Sequence, residues 1–135
     1  MTLLLDTCVI SEASKPRENL VVRAWLSSQH PAYLHISALT IGELHHGLRQ
    51  FGDGRRKREL ESWITTVRQD FDGRILPLDE IVAARWGELL VRYPNAQIVD
   101  SQIAATALVY GFTLVTRNVK DFAFEGLVVF NPWKQ

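Results

Sequence analysis

The sequence has little cysteine, no excess of charge and no long hydrophobic run, and each absence excludes a class of protein. Cys8 is the only cysteine, so an internal disulfide and a zinc site built from several cysteines are excluded. The 15 basic and 15 acidic residues cancel, so the overall charge gives no argument for nucleic-acid binding. No apolar run reaches membrane-spanning length, and Leu3–Leu5 is too short for a signal peptide, so we expect a cytoplasmic protein without membrane contact.

The size and composition are those of one globular domain. With 135 residues, 47% of them hydrophobic, the chain can bury a core without disulfides or metal. There is no internal repeat, low-complexity tract or linker. We therefore predict a single domain over residues 1–135.

Short apolar or β-branched segments alternate with longer segments of helical spacing. This alternation predicts an α/β fold with a mainly parallel sheet covered by helices on both faces. The predicted strands are Leu3–Leu5, Tyr33–Ile36, Arg74–Leu78, Thr113–Val115 and Val128–Phe130. The predicted helices are roughly Val9–Ser14, Leu20–Ser28, Thr40–Gln50, Arg55–Asp70, Glu80–Arg92 and Asp100–Tyr110.

Four acids lie close to predicted strand ends or helix starts. In an open parallel sheet, the carboxyl ends of the strands and the helix starts that follow them share one edge, where such folds bind ligands. The four acids can therefore converge at that edge. They are Asp6, Glu43, Asp100 and Asp121.

Taken singly, these acids also fit helix caps. Asp6 and Asp100 stand where an N-cap is expected, and Thr40 with Glu43 matches the capping-box pattern in which Thr40 is the cap. Asp79, at another strand-to-helix junction, we interpret only as a cap. One acid alone does not decide between a cap and a ligand site.

Convergence of the four would favour a divalent cation. Carboxylates within a few ångströms raise one another's pKa unless a positive charge lies between them. Oxygen ligands with room for water suit Mg²⁺ or Mn²⁺, and these ions suit chemistry at a phosphate. The sequence thus permits metal-dependent hydrolysis of phosphodiesters.

Five stretches follow one another along the chain: LLLDTCVISE, ISALTIGELHHGL, IVDSQIAATAL, TLVTRNVKDF and VVFNPW. In this order they resemble the motifs of the PIN-domain ribonucleases, and among them the VapC-type toxins of bacterial toxin–antitoxin pairs. GRILPLDE and FNPW are similar to the FitB-like branch in particular. The resemblance covers essentially the whole chain.

The resemblance implies a compact α/β/α sandwich with about five parallel strands in the order 3-2-1-4-5. It also implies that Asp6, Glu43 and Asp100 are acids that bind Mg²⁺ or Mn²⁺. The fourth family position falls at Asn118 or Asp121. We expect Asp121 to be the acid, directly or through a metal-bound water, with Asn118 as a hydrogen-bonding neighbour.

Two further residues are expected to support the acids. Thr116 resembles the family's supporting hydroxyl residue. Cys8 stands where relatives often carry the amide of an Asp-Thr-Asn motif, so a weaker donor lies near Asp6. We expect Cys8 to be a small buried residue and not a nucleophile, because the motif places no histidine beside it.

The implied activity is endonucleolytic hydrolysis of RNA, with transfer RNA or ribosomal RNA as substrate and products ending in 5′-phosphate and 3′-hydroxyl. The implied partners are a small VapB-like antitoxin, whose tail lies in a groove near the acids, and a second copy of the chain, with a larger toxin–antitoxin complex as a further assembly. Apolar residues of the early helices fit either that groove or the core: Val9, Ile10, Leu20, Val21, Leu44 and Leu48.

Two other interpretations compete with this one. Glu43 and His46 have the Glu-x-x-His spacing of di-iron helices, but the chain offers no second such pair on another helix. A PIN-like fold kept as a non-catalytic protein- or RNA-binding module is the alternative from a different class. Metal-dependent cleavage that disappears in Asp6→Asn separates the module from the enzyme.

Overall fold

The computed structural model describes residues 1–134, which form one five-stranded sheet and six α-helices. The strands are β1 (Leu3–Leu5), β2 (Leu34–Ser37), β3 (Ile75–Leu76), β4 (Thr113–Val115) and β5 (Val129–Phe130). The helices are α1 (Thr7–Glu12), α2 (Leu20–Ser27), α3 (Ala38–Gly47), α4 (Arg55–Asp70), α5 (Glu80–Arg92) and α6 (Ile98–Tyr110). Short 3₁₀ turns cover Pro31–Tyr33, Leu48–Gln50 and Val119–Phe122.

All neighbouring strands are parallel and follow the order β3-β2-β1-β4-β5. The predicted fold class and strand order are therefore confirmed. β1 is central, and Leu3 pairs with Leu34 on one side and with Thr113 on the other. The end of β1 consequently lies in the middle of the sheet edge.

The three leucines of β1 show why the sheet is covered on both faces. Leu3 and Leu5 belong to one hydrophobic cluster, and Leu4 belongs to another on the opposite face. Each of the three is at most 1% exposed, as expected for a central parallel strand. The first cluster includes residues of α1, α3 and α4, and the second includes residues of α5 and α6.

Small residues let α6 lie close to the sheet and to α5. Ala104, Ala105 and Ala107 are fully buried in the second cluster. The helix ends at Gly111, whose φ of +71° is left-handed, and Phe112 N donates to Ala107 O across 3.0 Å. The predicted end of this helix at Tyr110 is confirmed.

Three helices begin two residues before the predicted start, at Thr7, Ala38 and Ile98, and the starts of α3 and α6 change the interpretation of two acids. The N-cap of α3 is Ser37, which accepts from Leu39 N, so Thr40 is inside the helix and does not form a capping box. The N-cap position of α6 is Gln97, so Asp100 is in the first turn and is not a cap. Asp79 does cap α5, because its side chain accepts from Val82 N at 3.0 Å.

No helix within residues 1–134 is both long enough and apolar enough to cross a membrane.

Candidate metal centre

Asp6 lies directly beyond β1 with both carboxylate oxygens engaged. Oδ1 accepts from the backbone N–H of Thr7 at 2.8 Å, so Asp6 does cap α1. Oδ2 accepts from Thr116 Oγ1 at 2.7 Å and lies 3.5 Å from the sulfur of Cys8. Asp6 is 6% exposed, and these contacts hold its carboxylate in one orientation.

Thr116 joins Asp6 to the loop after β4. Its side chain is fully buried, and its backbone N–H donates to Phe130 O of β5. Asn118 donates from its backbone N–H to Thr116 Oγ1 at 3.0 Å. Asn118 is thus a hydrogen-bonding neighbour through its backbone.

Glu43 lies in the second turn of α3, one turn later than the capping-box interpretation requires. Thr7 Oγ1 donates to Glu43 Oε1 across 2.6 Å and lies 3.0 Å from Thr40 Oγ1. Partial burial raises the pKa of Glu43; the bond from Thr7 opposes this, and the charge of Asp6 adds to it.

Asp100 shows that the acids act on one another. Burial is the largest of the causes that raise its pKa from 3.8 to about 6, and the charges of Asp6, Asp121 and Glu43 contribute in that order. The amide nitrogen of Gln97, when turned toward this carboxylate, lies 2.7 Å from Oδ2.

Asp121 lies in the 3₁₀ turn after β4 and is exposed. Its backbone N–H donates to Asn118 O, and its charge acts on Asp100. The structure therefore brings all four predicted acids into one electrostatically coupled region. Within residues 1–134, however, no three His, Cys, Asp or Glu side chains already form a group with metal-site geometry.

Cys8 is only partly buried, which corrects the expectation of a buried residue. Burial and the negative charge of Asp6 raise the pKa of its thiol. Arg117 N donates to the sulfur at 3.5 Å, and Thr116 Oγ1 lies 3.5 Å from it. The thiol thus occupies the space between the ends of β1 and β4 as a weak hydrogen-bonding group.

A groove of about 280 Å³ opens beside Glu43, between α1, α3 and α4. Leu44 and Leu48 line it, whereas Val9 and Ile10 are buried in the core. Leu20 and Val21 are 74% and 52% exposed and do not line the groove. Of the six apolar residues named from the sequence, two therefore face this groove.

Sequence reasoning missed Thr7 and Gln97 as neighbours of the acids. Thr7 follows Asp6 directly, and a hydroxyl at the first position of a helix beside a candidate acid was an available signal. Gln97 carried no comparable signal, because its distance to Asp100 depends on the start of α6.

Sequence comparison gives a family match and several relatives. The PIN domain family matches residues 3–123. Toxin FitB from Neisseria gonorrhoeae is 38% identical over 136 residues, which cover 97% of this chain and 98% of the relative. VapC ribonuclease Y4jK from Sinorhizobium fredii is 34% identical over 137 residues, which cover 98% of both proteins.

Solved structures include similar folds. A chain in the crystal structure of FitAcB from Neisseria gonorrhoeae superposes with a TM-score of 0.90, at 36% identity, over 99% of this chain and all of that chain. A chain in the structure of FitAB bound to an IR36 DNA fragment gives a TM-score of 0.91, at 35% identity, over 99% of this chain and 97% of the other.

Proposed function

The chain belongs to the PIN-domain family, and on this basis we propose that it is an endoribonuclease toxin that hydrolyses RNA with the help of Mg²⁺ or Mn²⁺. The observation that carries the proposal is the coupling of four carboxylates at the carboxyl edge of the sheet, where Asp100 is acted on by Asp6, Asp121 and Glu43. Relatives of nearly the same length include VapC ribonuclease Y4jK and Toxin FitB.

The acids fit a divalent cation by charge and by donor type. Four neighbouring carboxylates are stabilised by a positive charge between them, because without one each negative charge raises the pKa of the others, as Asp6, Asp121 and Glu43 do for Asp100. Their oxygens suit Mg²⁺ or Mn²⁺ better than soft metals. When bound, such an ion would neutralise phosphate charge and activate a water for attack.

The side chains of this protein have distinct tasks in the proposal. Asp6, Glu43, Asp100 and Asp121 hold the cation. Thr116 and Thr7 orient two of these carboxylates through bonds of 2.7 Å and 2.6 Å, as outer-shell partners of metal ligands commonly do. Glu43–His46 as a di-iron site receives no support, because the sequence has no second Glu-x-x-His pair on another helix.

We propose further that a small antitoxin silences the enzyme by binding in the groove beside Glu43. Leu44 and Leu48 offer apolar contacts along the groove, and Glu43 offers a negative charge at its side. A tail with apolar residues fits Leu44 and Leu48, and an arginine placed at Glu43, away from the Lys15 and Arg56 that also line the groove, would compete with the cation for the acids.

The experiment incubates purified, antitoxin-free protein with total bacterial RNA in Mg²⁺, Mn²⁺ or EDTA and maps new 5′ ends by sequencing. Asp6→Asn and Asp100→Asn are expected to abolish metal-dependent cuts. Asp79→Asn is the matched control, because Asp79 is an acid at a strand-to-helix junction whose cap an asparagine can replace. Wild-type protein that folds but neither binds Mg²⁺ nor cuts RNA would overturn the proposal in favour of the non-catalytic module.

A further inference from the structure

Arg117 has an exposed, positively charged side chain, and its backbone lies next to the carboxylate site. It follows Thr116, whose hydroxyl donates to Asp6 at 2.7 Å. Its own backbone N–H donates to the sulfur of Cys8, which also contacts Asp6. The backbone of Arg117 is therefore fixed within one residue of the proposed metal ligands.

The guanidinium of Arg117 is held by the C-terminal segment of the chain. Its central carbon lies 5.5 Å from the ring centroid of Trp133, within cation–π range. Asn131 connects the two residues, since its Nδ2 donates to Arg117 O at 3.5 Å and its Oδ1 accepts from Trp133 N at 2.9 Å. The ring of Trp133 packs against the core cluster that also contains Val115.

This cation is not neutralised within the described chain. The ion pairs of residues 1–134 involve other basic residues, and none includes Arg117. The contact with Trp133 uses the π face of the ring and no N–H donor, and no hydrogen bond from the Arg117 guanidinium is formed within residues 1–134, so its N–H groups are free to donate. A fixed, unpaired arginine with a free edge is suited to bidentate contact with a phosphate.

The surroundings explain why such a group is needed here. Four carboxylates at the sheet edge repel a polyanion, and a bound cation offsets part of that charge. We propose that Arg117, held by Trp133 and Asn131, binds a phosphate of the RNA backbone next to the scissile bond. This inference rests on the proposed ribonuclease function and adds a substrate-binding residue to it.

The proposal assigns different roles to the three residues. Arg117 contacts the substrate, whereas Trp133 and Asn131 are positioning residues that act through Arg117. A phosphate contact of this kind contributes affinity without reading the base sequence. Removal of Arg117 should therefore raise KM at all cleavage sites and leave the pattern of sites unchanged.

The test compares Arg117→Ala, Arg117→Lys and Trp133→Leu with wild-type protein. The matched control is Arg68→Ala, because Arg68 is exposed near the end of α4, just before β3 begins, and thus at the opposite edge of the sheet. For Arg117→Ala we expect a KM for RNA about tenfold higher, as for one charge-assisted hydrogen-bonding group, with kcat nearly unchanged. Arg117→Lys should recover part of the loss, and Trp133→Leu should fall between wild type and Arg117→Ala.

Binding is measured separately with a labelled single-stranded RNA oligonucleotide in Mg²⁺, in an Asp6→Asn background that prevents cleavage. Affinity falls as salt rises, and Arg117→Ala should make the slope of log affinity against log salt less negative by about 0.7, the value for one phosphate contact on a single strand. The same slope in Arg117→Ala and Arg68→Ala, with equal KM, would overturn the inference. If wild-type protein leaves RNA intact, the proposed function fails. The salt dependence of RNA binding by Arg117→Ala and Arg68→Ala still decides whether Arg117 contacts a phosphate.

The proposal would also be contradicted if Arg117→Ala weakened antitoxin binding and left RNA affinity unchanged. In that case the Arg117 guanidinium would bind the protein partner and not the RNA. Circular dichroism and thermal unfolding check that each variant is folded. Arg117→Gln provides a second neutral variant of similar size if Arg117→Ala proves unstable.

Discussion

Thr116 Oγ1 donates to Asp6 Oδ2 across 2.7 Å, and this buried bond joins residues 110 positions apart in the sequence. It connects the ends of β1 and β4, which are neighbours in the sheet. Because Oδ1 of Asp6 is already bonded to the N-terminus of α1, the carboxylate has little freedom to turn. The site thus obtains a fixed central acid from two elements that meet only in the folded chain.

Thr116→Val should remove this bond while it preserves the shape of the side chain. We expect the metal-dependent cleavage rate to fall about 10- to 100-fold at limiting Mg²⁺, the usual effect of losing an outer-shell partner. A Mg²⁺ titration of RNA cleavage measures the change. Thr106→Val is the control, since Thr106 is equally buried and donates only to Gln102 O within α6. Equal Mg²⁺ dependence in both variants would disprove the role of Thr116.

The raised pKa of Asp100 makes the stability of the metal-free protein depend on pH. Its ordinary value of 3.8 rises to about 6 in the folded state, so the native protein binds more protons than the unfolded chain between these values. The contribution of Asp100 to the free energy of unfolding should therefore decrease as pH rises through this window. At pH 7 the charged Asp100 destabilises the metal-free fold.

Asp100→Asn should remove that penalty. In EDTA at neutral pH we expect the free energy of unfolding to increase by roughly 1 kcal/mol, less than the full pKa shift because the carboxyl is partly exposed. Near pH 4 the two proteins should differ little. Urea unfolding at both pH values measures this, and a loss of stability in Asp100→Asn at neutral pH in EDTA would contradict the prediction.

The same titration should control metal binding and activity. Because Asp100 must be deprotonated to bind a cation, Mg²⁺ affinity should increase as pH rises through about 6. Calorimetric titration with Mg²⁺ between pH 5 and 8 measures this dependence. Asp121→Asn removes one of the charges that raise the pKa of Asp100, so it should shift the transition to lower pH.

Cys8 should be a poor nucleophile. Burial and the charge of Asp6 raise the pKa of its thiol, so the thiolate fraction at neutral pH is small. We expect iodoacetamide to label native Cys8 more slowly than it labels glutathione, and labelling to accelerate in urea. Cys8→Ser should cleave RNA at a rate within a few-fold of wild type. Loss of cleavage in a folded Cys8→Ser protein would contradict this prediction.

Gly111→Ala should destabilise the protein through the backbone alone. Gly111 has φ +71° at the end of α6, and a Cβ placed there meets no atom within 4 Å. We expect a loss of about 1 kcal/mol in the free energy of unfolding, because alanine is strained in this conformation. Gly87→Ala in α5 is the control, since its Cβ also meets nothing and alanine favours a helix interior. Chemical unfolding should show changes of opposite sign.

Much of the fold was readable from local patterns. Four elements, β1, β4, α4 and α5, begin and end at the predicted residues. Their bounds depend on the spacing of apolar residues and on nearby glycine, proline or capping residues such as Asp79, and these signals extend over only a few residues. The start of α3 was not readable in this way. Ser37 and Thr40 are both acceptable caps, and only the length of β2 selects Ser37.

The sequence by itself determined the alternation of strands and helices and indicated the four candidate acids, whereas the central position of β1 was expected from the family resemblance. The tertiary structure decided which of these residues meet. Thr7 reaches Glu43, Thr116 reaches Asp6, and Arg117 stacks on Trp133 through contacts between distant parts of the chain. Such contacts depend on helix starts and strand register to within one residue, and a one-residue shift along a strand turns a side chain to the opposite face. Local patterns in the sequence indicate the candidate residues, whereas packing determines the distances between them and the pKa shifts that they cause in one another.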